Sequence, residues 1–392
     1  MIQFAAKANF LRPRNGHGSA PVTQIELFFD LVFVFTVIQL SAELRAQVSA
    51  LGLMQTLMLF AAVWWVWVYT SWVTNWLDPE HRPVQLMLIV LMSLSLLLST
   101  ALPEAFGERG FVFAAAYVAI QLGRSIFMLW AVRRHDNAHY QNMRRTAVWL
   151  MVSGVFWLAG SFRPDGERMV AWLIALALDI AAPALDFYVP HLGHSTVADW
   201  SIDSYHVAER FGAFILIALG ESIIVTGETF YKQSWTALDG SAFLAAFIGV
   251  AALWWIYFDE AAERTAHVFA QSDNPGWIAR AAYTYVHGLL VLGIIAVAAG
   301  DGVLLEHPTA PVSLATGLMI IGGPALYLLG NGVFRRLLYP RFPRSHVLGL
   351  LLLAVLAVSA PYLSMLALAW ALVGVLAAVI AWSDFSLLKQ TV

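Results

Sequence analysis

Cysteine is absent from the 392-residue chain, which removes disulfides, thiolate nucleophiles and cysteine metal sites from consideration. Charge is scarce as well. Asp, Glu, Lys and Arg make up 12% of the residues, about half the share of a soluble domain. No long basic tract argues for nucleic acid as a partner. There is no phosphate-cradling Gly-x-x-x-x-Gly-Lys-Ser/Thr, no dinucleotide fingerprint after a strand and no Gly-x-Ser-x-Gly elbow, so no ATP-driven step and no cofactor is expected. Residues 1–20 carry Lys7, Arg12 and Arg14 without a sustained apolar core, so a cleavable signal sequence is not expected either.

What is present is apolar: 60% of the residues are hydrophobic. That composition describes a polytopic membrane protein, all-α, because the apolar runs are continuous rather than alternating as in a barrel. Spans of about 20 residues fit at 22–44, 51–76, 83–102, 110–132, 146–162 and 169–189, then at 207–228, 238–258, 277–300, 311–332, 346–363 and 364–382. Many of the 16 Trp fall inside these segments, where they are expected to pack between helices.

The basic residues segregate. One side of the twelve-span arrangement collects Arg12, Arg82, Arg133, Arg134, Arg144, Arg145, Arg280, Arg335, Arg336, Arg341 and Arg344, together with Lys7, Arg14, Arg264 and Lys389. The other side has only Arg45, Arg109, Arg163, Arg168 and Lys232. Both termini are therefore expected in the cytoplasm. The chain also reads as doubled. Glu26-Leu27-Phe28 opens the first span and Glu209-Arg210-Phe211 the seventh; Trp64-Trp65 answers Trp254-Trp255, and Arg133-Arg134 answers Arg335-Arg336. Six helices return a chain to the side where it began, so the halves are expected to be parallel repeats. The implied division is a cytoplasmic segment 1–21, a first repeat 22–189, a linker 190–206 and a second repeat with a short tail, 207–392.

Charges inside apolar spans mark the candidate site, since one at bilayer depth costs about 2.5–3.5 kcal/mol even on the lenient insertion scale. Glu26 and Asp30 are i, i+4 and share a helix face; they either attract a cation or proton, or cap and salt-bridge at the interface. Glu209 and Arg210 lie early in the seventh span, Glu221 and Glu228 deeper. Gly220 and Gly227 beside those glutamates permit close helix approach or local unwinding. Arg124 in the fourth span must snorkel or find a carboxylate, with Asp30 and Glu221 as the candidate partners; Arg124 and Arg210 are read as balancing charges. His287 in the ninth span is either a proton relay or a neutral packing residue. Asp179 and Asp186 are seven apart on the sixth. His191 and His194, with Asp199, Asp203 and His206 beyond, do not make a recognisable metal motif, and no metal is expected.

Thr23-Gln24-Ile25-Glu26-Leu27-Phe28-Phe29-Asp30-Leu31-Val32-Phe33, with Gln39-Leu40-Ser41 behind it, resembles the opening signature of the bacterial low temperature requirement protein A family. The likeness continues through Trp65-Val66-Trp67, Thr74-Asn75, Pro103-Glu104-Ala105-Phe106-Gly107, His206-Val207-Ala208-Glu209-Arg210-Phe211-Gly212, Ala218-Leu219-Gly220-Glu221-Ser222 and Trp254-Trp255-Ile256-Tyr257-Phe258-Asp259. Where relatives often read Asn-Arg-Phe-Asp, this chain has Asn75-Trp76-Leu77-Asp78. The resemblance implies a bacterial inner-membrane protein linked to growth in the cold, without a biochemical activity. A fainter architectural resemblance, in the Phe-rich first helix with an early acid, is to the endosomal and lysosomal potassium channel family; Phe29 stands where that family's Phe-Ser-Asp has serine. It implies a pathway lined by the first and seventh helices.

These readings converge on an ion or small-solute transporter or channel with Asp30 and Glu221 as buried carboxylates and Glu26 and Glu209 near the cytoplasmic mouth. The expected partners are the lipid bilayer, a monovalent cation or proton, and a second copy in a homodimer. An intramembrane lipid-handling enzyme and a stress-adaptation scaffold stay open as alternatives.

Overall fold

A computed structural model describes residues 9–12, 21–47, 49–195, 202–258 and 261–391, with side chains described except at 261–265 and 384–391. Lys7, Arg14 and Asp199, part of the expected segment 1–21 and part of the linker 190–206 lie outside the described residues, as do the side chains of Arg264 and Lys389. The described chain is all-helical, with three isolated bridges and no strand among the described residues.

The helices are α1 (Gln24–Ala46), α2 (Ala50–Trp76), α3 (Arg82–Ala101), α4 (Gly110–Val132), α5 (Asn137–Ser161), α6 (Asp165–Ala184), α7 (Ser204–Tyr231) and α8 (Ala237–Phe258). They continue as a short α9 (Ala261–Ala270), α10 (Pro275–Glu306), α11 (Leu314–Leu338), α12 (Arg344–Ser359) and α13 (Met365–Thr391). Each of the twelve expected segments coincides with one of these helices. Ten of the helices are long and apolar enough to cross a membrane; α5 and α6 are not among them. Both begin in polar sequence, α5 with Asn137 to Arg145 and α6 with Asp165, Glu167 and Arg168. Helix α9 was not expected, nor was the π-helical stretch Ala279–Val286 that opens α10.

Local chemistry sets several boundaries. Asp136 caps α5, its side chain accepting from the His139 N–H, and Ser313 with Thr316 forms a full capping box at α11. Asn274 caps the start of α10 ahead of Pro275, where proline's missing N–H does no harm. In α1 the buried positions Glu26, Phe29, Asp30, Phe33, Val37, Leu40 and Ser41 follow a helical period, while Phe28 and Leu31 are exposed. A helix with one face buried in protein and apolar side chains on the other is built for a lipid surround.

The chain forms two compact units: Met1–Gln39, Met54–Arg210 and Ser272–Arg280; and Leu40–Leu53, Phe211–Gln271 and Ala281–Val392. In the first, α3, α4, α5 and α6 pack each against the next. Their core is aromatic: Trp157 lies 5.2 Å from Trp172 and 4.6 Å from Tyr117, centroid to centroid, with Phe113 beside them. In the second unit α8, α10, α11, α12 and α13 close a ring in which each helix contacts at least two others. Helices α10 and α11 approach closely where Gly293 faces Gly323; a Cβ on Gly293 would stand 2.9 Å from the Gly323 carbonyl oxygen, so two glycines let the backbones meet.

Candidate functional site

In the first unit the start of α1 is clamped by charge. Glu26 is fully buried. Its Oε2 accepts from the Thr23 N–H and hydroxyl, both at 2.9 Å, and from Arg12 Nη2 at 2.9 Å. Its Oε1 lies 3.0 Å from His206 Nε2. Arg12 is itself fixed, its Nε donating to the Thr74 carbonyl at 2.8 Å and its backbone N–H to the Trp76 carbonyl. The Asn75 amide donates to the Asp203 carbonyl at 3.0 Å and accepts the Asp203 N–H at 3.1 Å, which fixes which of its ends is nitrogen. That nitrogen faces His206 Nδ1 at 3.1 Å. The Asn75 contact makes Nδ1 an acceptor and puts the ring proton on Nε2, which faces Glu26 Oε1 and also stands 3.1 Å from Arg12 Nη2. With both oxygens of Glu26 engaged, this carboxylate holds the entrance of α1 rather than offering a free ligand.

One turn on, Asp30 is also fully buried. Its Oδ1 accepts from Trp67 Nε1 at 2.7 Å and stands 2.9 Å from Arg210 Nη2. The Arg210 contact is an ion pair without hydrogen-bond alignment: Nε, Nη1 and Nη2 of Arg210 and Oδ2 of Asp30 make no hydrogen bond among the described residues. A buried guanidinium with idle donors is costly. Phe29 lies under it at 6.0 Å, and a ring face offsets only part of that cost. Glu209, next to Arg210, is at the surface, where it accepts the Val22 N–H at 3.2 Å.

Arg124 has a partner that the spacing of charges did not reveal. Neither Asp30 nor Glu221 is bonded to it. Its guanidinium donates to the Val66 carbonyl, to Thr70 Oγ1 at 3.0 Å and to Gln121 Oε1. Gln121 then donates to the Tyr117 hydroxyl at 3.1 Å, and Tyr117 to Asp179 Oδ2 at 2.7 Å. Trp157 Nε1 also donates to that oxygen. Charge on α4 is balanced by charge on α6 through two neutral side chains. Asp186 has a separate role, pairing with Arg280 at 2.7 Å.

In the second unit Glu221 is fully buried; its Oε1 accepts from Ser41 Oγ at 3.0 Å, while its Oε2 makes no hydrogen bond among the described residues. Asp301 on α10 likewise has a buried Oδ2 that makes no hydrogen bond among the described residues. Sequence reading missed Asp301 because the ninth span was ended at residue 300. The signal was an acid between two glycines at the end of an apolar run. Glu228 is at the surface, paired with Lys232 at 3.0 Å. His287 accepts from the Tyr257 hydroxyl at Nε2, 2.9 Å, and donates from Nδ1 to the Ala282 carbonyl, 3.0 Å. Phe211, Tyr283 and Phe334 enclose it. That is a neutral, fully bonded ring. His191 and His194 are exposed, and no group of three or more His, Cys, Asp or Glu that could hold a metal exists among the described residues.

Ten helices long and apolar enough to cross a membrane, with Glu26, Asp30, Arg124 and Glu221 buried inside them, define an integral membrane protein of many spans. Residues 21–381 match the bacterial low temperature requirement A protein (LtrA) family, and the chain belongs to it. It is 38% identical over 366 residues to an uncharacterized protein of Rhizobium meliloti (strain 1021), covering 93% of this chain and 89% of that one. No solved structure matches it.

Proposed function

We propose that the chain moves a monovalent cation or proton across the bacterial inner membrane along α1 and α7. In this reading α5 and α6 also span, giving twelve helices in two parallel six-helix repeats with both termini in the cytoplasm and the chain assembled as a homodimer. The link to low-temperature growth is then a consequence of ion balance in the cold.

The observation that carries the proposal is the Asp30–Arg210 pair: two charges on α1 and α7, both fully buried, 2.9 Å apart, with a carboxylate oxygen and guanidinium donors left without hydrogen bonds. A purely structural pair is stable only when its remaining donors and acceptors are satisfied. Idle capacity at bilayer depth suits a place where water or an ion passes. A second meeting of the same two helices, Ser41 with Glu221, again leaves a carboxylate oxygen unbonded. By contrast, Glu26 and His287 act as fixed supports, and Glu209 and Glu228 as surface charges near the mouths.

The test is flux of K+, Na+ and H+ into liposomes holding the purified protein. Asp30→Asn should fold and lower the flux at least tenfold. Wild-type liposomes no leakier than empty ones to all three ions would refute transport and return attention to a lipid-handling or scaffold role.

A further inference from the structure

Several hydroxyls buried in these helices share one habit. Thr70, Ser71, Ser99, Ser125 and Thr146 each donate to the carbonyl one turn back in their own helix, at 2.8 to 3.1 Å, which is how a helix usually satisfies such a group. On α7 two hydroxyls break the habit within one turn. Ser222 and Thr226 are 0% and 2% exposed, yet their Oγ atoms make no hydrogen bond among the described residues, and neither does Oε2 of the neighbouring, fully buried Glu221.

All three residues belong to the second unit, and one helix fixes their spacing. Ser222 and Thr226 are i, i+4, which stacks them on one face with Cβ atoms about 5–6 Å apart, and the side chain of Thr226 leans back over the turn that carries Ser222. Glu221 adjoins Ser222 and is pinned from α1, where Ser41 Oγ donates to its Oε1 at 3.0 Å. Thr229, also buried, extends the row of hydroxyls toward the end of α7 at Tyr231. A polar row thus leads from the helix end to a carboxylate.

The chemistry of the idle atoms limits what they can hold. Two hydroxyl oxygens and one carboxylate oxygen all offer lone pairs, and the carboxylate carries a charge that is costly to bury unbalanced. Arg45, one turn beyond Ser41, pairs instead with Glu306 at 3.7 Å. A water would satisfy the hydroxyls and leave that charge standing. One carboxylate balances one positive charge, whereas a divalent ion calls for more acids, and no group of three or more His, Cys, Asp or Glu exists to hold one among the described residues. Hard oxygen ligands around a single charge suit an alkali cation.

We propose that Glu221 Oε2, Ser222 Oγ and Thr226 Oγ1 are ligands of one alkali cation, Na+ or K+, which sheds part of its water along the hydroxyl row. The binding stands by itself; that the bound ion is also the one moved rests on the transport proposed above.

The experiment is equilibrium binding of radiolabelled Na+ and Rb+, the latter standing for K+, to the full chain in lipid nanodiscs with choline as the background cation. Wild type should bind at least one of them saturably, one ion per chain. Glu221→Gln should weaken binding at least tenfold, and Ser222→Ala and Thr226→Val at least threefold each, while Thr226→Ser and the control Thr146→Val keep wild-type affinity. Since the two hydroxyls on α7 hold no bond, Ser222→Ala and Thr226→Val should unfold at the wild-type temperature in choline and lose the upward shift that saturating ion gives wild type. If Glu221→Gln does not fold, these two variants carry the test. No saturable binding of either ion, or wild-type affinity in both Ser222→Ala and Thr226→Val, would overturn the site and leave its oxygens to water. Flux without such binding refutes this site and spares transport; binding without flux does the reverse.

Discussion

Asn75 determines which nitrogen of His206 carries the proton. Its amide is oriented by the backbone of Asp203, its nitrogen is turned to His206 Nδ1 at 3.1 Å, and the imidazole is left to donate from Nε2 to Glu26. A residue at the end of α2 thereby completes the bonding of a carboxylate on α1. Asn75→Leu removes that instruction and leaves Nδ1 buried without a donor. The expected loss is about 1–3 kcal/mol, read as a lowered midpoint in thermal unfolding of the detergent-solubilised protein; an unchanged midpoint would mean that His206 orients itself.

Arg12 and Glu26 form a buried pair at 2.9 Å. Removing one partner of such a pair costs about 3–5 kcal/mol, because the other charge is stranded. Arg12→Met and Glu26→Gln should each approach that loss, and the double variant should lose clearly less than their sum. The double-mutant cycle measures this directly, and strict additivity would show that the two act independently.

The relay from Arg124 to Asp179 passes through the Tyr117 hydroxyl. Tyr117→Phe keeps the ring against Trp157 and deletes only the bridge, at an expected cost of about 1–3 kcal/mol. In the Asp179→Asn background the same change should cost less. Equal costs in both backgrounds would place the stabilisation of Tyr117 in its packing.

Asp136 caps α5 outside the apolar segments. Partial burial pushes its carboxyl up, but the backbone N–H and ring of His139, at 3.0 and 2.7 Å, outweigh this and hold it below the usual carboxylate range. A lowered folded-state value means a contribution fully present above the unfolded value near 4 and lost as pH falls through the folded one. Asp136→Ala should therefore cost about 0.5–2 kcal/mol at neutral pH, with the gap to wild type closing in strong acid. A gap that widens on acidification would contradict the sign.

Gly323 stands where a Cβ would come within 2.8 Å of the Val297 nitrogen and 3.0 Å of the Gly293 carbonyl oxygen. Backbone cannot step aside as a side chain can. Gly323→Val should cost about 1–3 kcal/mol or more through overpacking, whereas Gly249→Ala, whose Cβ meets nothing within 4 Å, should be nearly neutral in the same unfolding assay.

The helices were legible because lipid imposes long continuous apolar runs, and each such run here is a helix. What the runs hid is informative. Asp301 escaped because the ninth span was ended at residue 300, while α10 carries on to Glu306. The partner of Arg124 escaped because charge was sought next to charge, and Gln121 and Tyr117 stand between. Helix α9 falls in sequence too polar to register as a span, and the π-helical stretch Ala279–Val286 lies inside the ninth expected span, where apolar content marks a helix but not its hydrogen-bond register. The burial of Glu26 and Asp30 on one face followed from their i, i+4 spacing; their different states of satisfaction did not, since these depend on residues as distant in sequence as His206 and Arg210.

The two units do not follow one another along the chain. The first is completed only by Ser272–Arg280, and the second begins with Leu40–Leu53. A ribosome must therefore deliver the first strip of the second unit long before its remainder exists, and the last strip of the first unit after most of α7 and α8 has emerged. Neither unit is complete while its missing strip is unmade, and within them Glu26 must wait for His206 and Ser41 for Glu221. Cutting the chain near residue 200 would leave each unit divided between two pieces, whose recovery would depend on finding one another in the bilayer.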